Sequence, residues 1–169
     1  TFLVESAFKA LNIAPGLNRK FAAEKWDIIE KSIWFNERQR AISLVKKDVL
    51  FHSLGFDIDS ESLTLSNENI QKASIATKAK AEFGDIRNFN DIENATVICN
   101  PPYGERMLEL NQAEELYKIM GQKFTRNKNN TYYIISPHEN FETFFGRPAD
   151  KRRKLYNGMI KCQLFMYFK

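Results

Sequence analysis

The sequence predicts an α/β fold with a mainly parallel sheet closed by an antiparallel hairpin. From residue 49 onward, short apolar runs alternate with amphipathic helical stretches, the signature of βαβ units. Near the end the pattern changes to two strand-like runs joined by Asn157-Gly158, a dipeptide favoured in tight hairpins. At 169 residues, with 43% hydrophobic and 27% charged residues, the chain has the size and composition of one packed domain, not of a disordered or fibrous protein.

Over 1–11, Phe2, Leu3, Ala7, Ala10 and Leu11 form one helical stripe, which Pro15-Gly16 stops. Residues 26–47 carry Ile28, Ile29, Ile33, Ala41, Leu44 and Val45 between charged positions, which predicts a helix lying on a sheet. Residues 49–58 read as a strand, and Asp59 offers an N-cap carboxylate to a helix running through Leu63, Ile70 and Ala73. A short strand over 80–83 ends in Gly84-Asp85. The apolar run 95–99 is predicted to be covered on both faces and stops at Asn100-Pro101-Pro102-Tyr103. A long helix follows with Leu108, Leu116, Ile119, Met120 and Phe124 inward. After a strand over 131–135, Ser136, Pro137 and Glu139 spell a capping box with proline at the first helical position, and Gly146 and Pro148 end that helix. Runs 154–156 and 159–168 then form the hairpin, with a type I′ turn at Asn157-Gly158.

No apolar run approaches the roughly 20 residues that span a bilayer, and no leader opens the chain, so a cytoplasmic protein is expected. Cys99 and Cys162 sit in strand-like runs without paired spacing and read as reduced core thiols; with no Cys/His/carboxylate spacing, no metal is expected. The net charge of +4 is modest, but Lys151, Arg152, Arg153 and Lys154 cluster, which suits either a polyanionic partner or a solvated face.

Ligands of open α/β sheets sit beyond the carboxyl ends of the strands. At Gly55-Phe56-Asp57-Ile58-Asp59 an acid stands where a ribose diol is commonly held; Asp57 is the candidate, with Ile58 as an apolar face for adenine. The alternative is that both acids cap the next helix. Asp85 is placed to accept from an adenine amino group, although Gly-Asp is also a common turn pair. The third end, Asn100-Pro101-Pro102-Tyr103, carries the most chemistry. Two prolines fix φ and withhold two donors, leaving carbonyls expected to face outward and free. An exocyclic amine is a poor nucleophile because its lone pair is delocalised. If Asn100 Oδ1 and the Pro101 carbonyl accept its two hydrogens, the nitrogen is drawn towards tetrahedral geometry and its lone pair is aimed at a sulfonium methyl, so positioning does the catalysis. Tyr103 offers a π-face to a base removed from its stack. The competing reading of these four residues is a Pro-rich turn with a buried tyrosine. His138 reads as solvent-exposed or locally bonded in the first turn of a capped helix, and His52 has no evident partner.

Taken together, Asn12 to Arg19, Glu24-Lys25-Trp26, Gly55 to Asp59, Asn100 to Arg106, and Lys154 to Gly158 followed by Cys162 resemble the class I methyltransferases that form N2-methylguanosine in large-subunit ribosomal RNA, usually attached to an RNA-binding THUMP domain. The resemblance covers nearly the whole chain. It implies a Rossmann-like sheet with a reversed terminal strand and S-adenosyl-L-methionine as donor. It also implies Asp57, Ile58, Asp85, Ile86 and Asn100 at the cofactor, and Asn100, Pro101, Pro102 and Tyr103 at the target amine, with ribosomal RNA as partner. Members of that family carry a strand and a Gly-rich loop before the position of Thr1. The expectation is therefore a catalytic domain over 1–169 that lacks its first, central strand and that loop, with the THUMP region upstream, the strands ending at Ile58 and Cys99 flanking the missing slot. The same tetrapeptide serves adenine methyltransferases of DNA and enzymes that methylate a release-factor glutamine, and a non-catalytic RNA-binding piece is a further alternative.

Overall fold

The first half of the chain builds a two-stranded parallel sheet and the second half a four-stranded mixed one. The computed structural model describes residues 1–90, 92–104, 107–125 and 129–168, and the chain divides into two units, Thr1–Gly84 and Asp85–Lys169.

In the first unit α1 (Phe2–Leu11) ends at Asn12, whose left-handed backbone (φ 54°) terminates the helix before Pro15-Gly16 is reached. Ala7 and Leu11 are buried, whereas Phe2 at the head of the predicted stripe is 50% exposed. Strands β1 (Ser53–Asp57) and β2 (Ala79–Phe83) pair in parallel, Ser53 opposite Ala79 and Asp57 opposite Phe83. Between them runs α3 (Ser60–Lys72), capped as predicted by Asp59, which accepts from the Glu61 and Ser62 amides. Ala7, Leu11, Ile70, Ile75, Ala79 and Ala81 form the core. The Asn67 side chain donates to the Ala81 carbonyl at 2.9 Å and accepts from its amide at 3.1 Å, satisfying the β2 edge as a further strand would.

The predicted helix over 26–47 is shorter and serves another purpose. A 3₁₀ turn takes Ala22–Lys25, Trp26 is extended, and α2 spans only Lys31–Ser43. It buries none of its residues, so it does not lie on a sheet as expected. Instead its Arg38 donates to the Leu17 carbonyl (2.7 Å), the Arg19 carbonyl (2.8 Å) and Glu24 (2.6 Å), and Trp34 stacks on Phe21 at 5.9 Å, holding the 17–24 segment. The apolar residues of 26–47 are too evenly spread around the helix to make one covered stripe.

In the second unit the sheet order is β3-β4-β6-β5, from Thr96–Cys99, Thr131–Ser136, Ile160–Tyr167 and Lys151–Asn157. β3 and β4 are parallel, and β6 runs antiparallel to both β4 and β5, giving the reversed terminal strand. α4 (Met107–Lys123), Phe124 just after it and α5 (Phe141–Phe145) pack Ala113, Tyr117, Met120, Phe124, Phe141 and Phe145 onto Tyr132, Ile134, Phe165 and Tyr167. Of the residues predicted inward on α4, Met120 and Phe124 are buried and Leu116 and Ile119 half-buried; the side chain of Leu108 lies outside the described residues. Buried Asn130 accepts from the Ala95 amide at 2.7 Å and donates to the Ile92 carbonyl, tying the start of β3 to the start of β4.

Three predictions fail here for identifiable reasons. The capping box at Ser136, Pro137 and Glu139 does not form: Ser136 stays in β4 opposite Gln163, fully buried, and α5 starts at Phe141 after Asn140 with no side-chain cap. The hairpin turn sits one residue later than predicted, on Gly158-Met159, because Asn157 pairs with Ile160; only Gly158 takes positive φ (59°), which fits a turn with glycine first and not the type I′ form. Finally, β3 is not covered on both faces, since Ile98 is 45% exposed. Among the described residues β1 pairs only with β2 and β3 only with β4, so each keeps one edge without a strand partner. No helix among them is long and apolar enough to cross a membrane, and no cluster of three or more metal-ligating side chains occurs.

Candidate functional site

Strand β3 delivers Asn100-Pro101-Pro102-Tyr103 at its carboxyl end. Pro101 is buried, Pro102 exposed and Tyr103 half-buried. Gly104 then takes φ 70°, and a Cβ there would lie 2.5 Å from the Leu110 backbone, so only glycine lets the turn fold back this tightly on α4. Burial pushes the Cys99 thiol just before the turn up to about 12, which keeps it protonated and excludes it as a nucleophile.

The Tyr103 hydroxyl is the centre of a polar cluster. It donates to Asn100 Oδ1 at 2.8 Å and accepts from Asn157 Nδ2 at 3.0 Å and from Cys162 Sγ at 3.7 Å. Burial raises its pKa, opposed by the Asn157 donor and reinforced by Cys162, so it remains a hydrogen-bond donor. Asn100 Oδ1 already accepts this one bond, but an amide oxygen has two lone pairs, and one remains for a second N–H.

A second chain of bonds supports the turn from within the core. Buried Tyr117 on α4 donates to the Pro102 carbonyl at 3.0 Å, and Ser136 Oγ donates to the Tyr117 hydroxyl at 3.4 Å. The expectation of outward, free carbonyls thus fails at Pro102, whereas the Pro101 carbonyl has no partner among the described residues. Ser136 Oγ also accepts from the His138 amide at 3.1 Å. His138 Nδ1 accepts from the Asn140 amide at 3.2 Å, which puts the ring proton on Nε2, 3.1 Å from Glu114 Oε1. His138 is locally bonded, as one of its two expected roles had it, but in a loop and not in a helix.

At the end of β1, Asp59 and Asp57 have different roles. Asp59 caps α3, accepting from Ser62 at 2.9 Å and Glu61 at 3.4 Å. Asp57 does not touch the helix. Its Oδ1 accepts from the Asp59 amide at 3.0 Å, its other oxygen has no partner among the described residues, and the neighbouring Ile58 is 65% exposed. An acceptor beside an open apolar face fits a ribose and a purine. Asp85 is more occupied: both oxygens are engaged by Arg87, through its amide at 2.8 Å and its guanidinium at 2.7 Å, and these, the amide first, hold the carboxyl below its ordinary range. Ile86 is half-buried against the core of its unit.

The basic cluster Lys151 to Lys154 lies on β5, the edge strand, and is exposed. Arg152 is ion-paired with Glu142, and Lys154 lies 5.3 Å from the Tyr156 ring. A charged edge also blocks pairing with other chains. Sequence reasoning missed Tyr117, Ser136, Asn157 and Cys162 as neighbours of the turn: Tyr117 was given no role, Cys162, Ser136 and Asn157 were assigned to a core, a cap and a turn, and their meeting at the Asn100–Tyr103 turn depends on the sheet order.

Residues 1–165 match a family model described as UPF0020, RMKL-like, methyltransferase domain. The Bacillus subtilis (strain 168) protein YpsC, which carries an RNA-methyltransferase name, is 34% identical over 99% of this chain and 44% of its own length. A Legionella pneumophila ribosomal RNA large subunit methyltransferase K/L is 32% identical over 98% of the chain and 24% of its own length. The chain thus spans less than half of either relative. Among solved structures, SMU.472, assigned as a methyltransferase and complexed with SAH, superposes with a TM-score of 0.93 at 34% identity over 99% of this chain and 45% of that one. A Listeria monocytogenes protein designated an N6-adenine-specific DNA methylase gives 0.89 at 32% identity over 98% and 43%.

Proposed function

The chain belongs to the RMKL-like methyltransferase family, and on that premise we propose that it carries the catalytic residues of a cytoplasmic enzyme that methylates an exocyclic amino group of a base in ribosomal RNA, the N2 of a large-subunit guanine. S-adenosyl-L-methionine, when bound, supplies an electrophilic methyl on its sulfonium. Everything else is positioning by the protein. The observation that carries the proposal is the stiff turn after β3, where Asn100 Oδ1 keeps a free lone pair and the Pro101 carbonyl has no partner among the described residues. These two acceptors would take the two amine hydrogens and hold the nitrogen with its lone pair aimed at the methyl that bound S-adenosyl-L-methionine would supply. Pro102, held by Tyr117, fixes the turn, and the Tyr103 ring stacks on the extruded base. Asp57 with Ile58, and Asp85 with Ile86, are proposed as cofactor contacts; the open Asp57 oxygen and exposed Ile58 support the first pair. The identity to ribosomal RNA methyltransferases supports the RNA substrate.

The test incubates the full-length protein with methyl-labelled cofactor and undermethylated ribosomal RNA, followed by nucleoside analysis. Label in N2-methylguanosine is the expected result. Label in adenosine refutes the guanine assignment, label in DNA alone favours the reading suggested by the Listeria structure, and RNA binding without transfer reduces the protein to a binding module.

A further inference from the structure

We propose that Asn157, at the end of β5, is a positioning residue for this turn: its amide anchors the Tyr103 hydroxyl, which in turn orients the Asn100 side chain. The inference rests on the methyl-transfer reading of Asn100 to Tyr103 and adds to it a contribution from the C-terminal hairpin.

Asparagine at a hairpin end normally serves the backbone, by adopting positive φ. Asn157 does not; among the described residues the asparagines with positive φ are Asn12, Asn94 and Asn129, and in the hairpin only Gly158 takes that region. Its backbone is held in the ladder opposite Ile160, so its side chain is free to serve something else. That side chain donates to the Tyr103 hydroxyl at 3.0 Å. Leu155 pairs with Cys162, and Asn157 lies two residues beyond Leu155, so the alternation of side chains along a strand puts Asn157 and Cys162 on one face of the hairpin. Both reach the same oxygen, Cys162 at 3.7 Å. With two donors fixed on its oxygen, the hydroxyl has one direction left for its proton, and that direction is Asn100 Oδ1 at 2.8 Å. A donor at that point selects the amide orientation in which the oxygen, not the NH₂, faces the hydroxyl. The second lone pair of Asn100 Oδ1 is thereby fixed in space, while the Tyr103 ring is held by its far end.

The experiment is a double-mutant cycle in the full-length protein, measured by single turnover at saturating cofactor. Asn157→Ala is expected to slow methyl transfer roughly three- to tenfold, the worth of one neutral hydrogen bond, with cofactor affinity unchanged. Asn157→Asp exchanges the donor for an acceptor that competes for the hydroxyl proton, and is expected to be slower than Asn157→Ala. In a Tyr103→Phe background, Asn157→Ala should have no further effect. Independently of activity, ¹³Cζ-labelled tyrosine, with the Tyr103 signal assigned by its loss in Tyr103→Phe, should show that signal displaced in Asn157→Ala. An equal loss of rate in both backgrounds, or an unmoved Tyr103 signal, overturns the proposal. A displaced signal in a protein that methylates no nucleic acid refutes the methyl-transfer reading instead.

Discussion

Replacing Gly121 with alanine tests the packing behind the site, because two physical effects predict opposite signs. Gly121 lies within α4, where propensity alone makes glycine about 1 kcal/mol worse than alanine, so the substitution should stabilise. The structure predicts the reverse. A Cβ at Gly121 would overlap the Phe145 carbonyl oxygen and lie 2.7 Å from its carbonyl carbon, and both atoms are backbone of α5. To admit the methyl group, α4 and α5 must separate by roughly 1 Å, which loosens Phe141 and Phe145 from Phe165 and Tyr167, ring pairs now 4.5 and 4.6 Å apart. Overpacking typically costs 1–3 kcal/mol, with a rigid partner at the upper end, so the net loss after the propensity gain is about 1–2 kcal/mol. At roughly 2–4 °C per kcal/mol for a chain of this length, the melting temperature should fall by about 2–8 °C. Thermal unfolding followed by circular dichroism measures it. An unchanged or raised melting temperature would refute the close approach of the two helices. Because Tyr117 stands one turn before Gly121 and holds the Pro102 carbonyl, the variant should also lose turnover at temperatures where it is fully folded.

Asn100→Ala should lower turnover on the order of a hundredfold while leaving cofactor affinity nearly intact, since its acceptor is used on the target amine; near-normal single-turnover rates would discard the mechanism. Tyr103→Ala should weaken RNA binding as well, by about 1–3 kcal/mol for a lost stacking surface, measured by filter binding at fixed salt. Asp57→Ala should weaken cofactor binding tenfold or more, the worth of about 1.5–3 kcal/mol for a charge-assisted bond, and an unchanged dissociation constant by calorimetry would return Asp57 to a local turn role. The Asp59 carboxyl is held below its ordinary range by hydrogen bonds from Ser62 and Glu61, so its ionised form stabilises α3 above the unfolded carboxylate pKa, and that stability is lost as pH falls through the lowered folded value. Denaturant midpoints of the wild type and Asp59→Asn should therefore converge on acidification, and a gap independent of pH would contradict this.

Local rules sufficed for much of the architecture. The alternation after residue 49, the Asp59 cap, the Gly146 stop (φ 83°) and the final antiparallel pair are each decided by a few neighbouring residues, and all were legible. The turn at Asn100 was legible for the same reason: two prolines and an asparagine after an apolar strand impose their geometry almost without help. The failures share a different cause. Ser136-Pro137-Glu139 satisfies every local requirement of a helix start, yet the Ser136 hydroxyl is claimed by Tyr117 and its backbone by β6, partners 19 and 27 positions away. Asn157-Gly158 carries a type I′ signal, but the pairing of Asn157 with Ile160 moves the turn on by one residue.

The sequence by itself determined the fold class and the stiff turn after β3, because periodicity, capping and proline stiffness act within a few residues of one another, and its motifs carried the resemblance to the family. The tertiary structure decided which groups that turn meets. A hydrogen bond between Asn157 and Tyr103, 54 positions apart, exists only once β6 has inserted between β4 and β5 and carried the hairpin to the end of β3's sheet, and no local pattern encodes that distance. Ser136 and Cys162, which read as a cap and a core thiol, are buried and bond to tyrosine hydroxyls for want of water, whereas exposed Asn157, which read as a turn former, reaches Tyr103 because its backbone is held in the β5–β6 ladder.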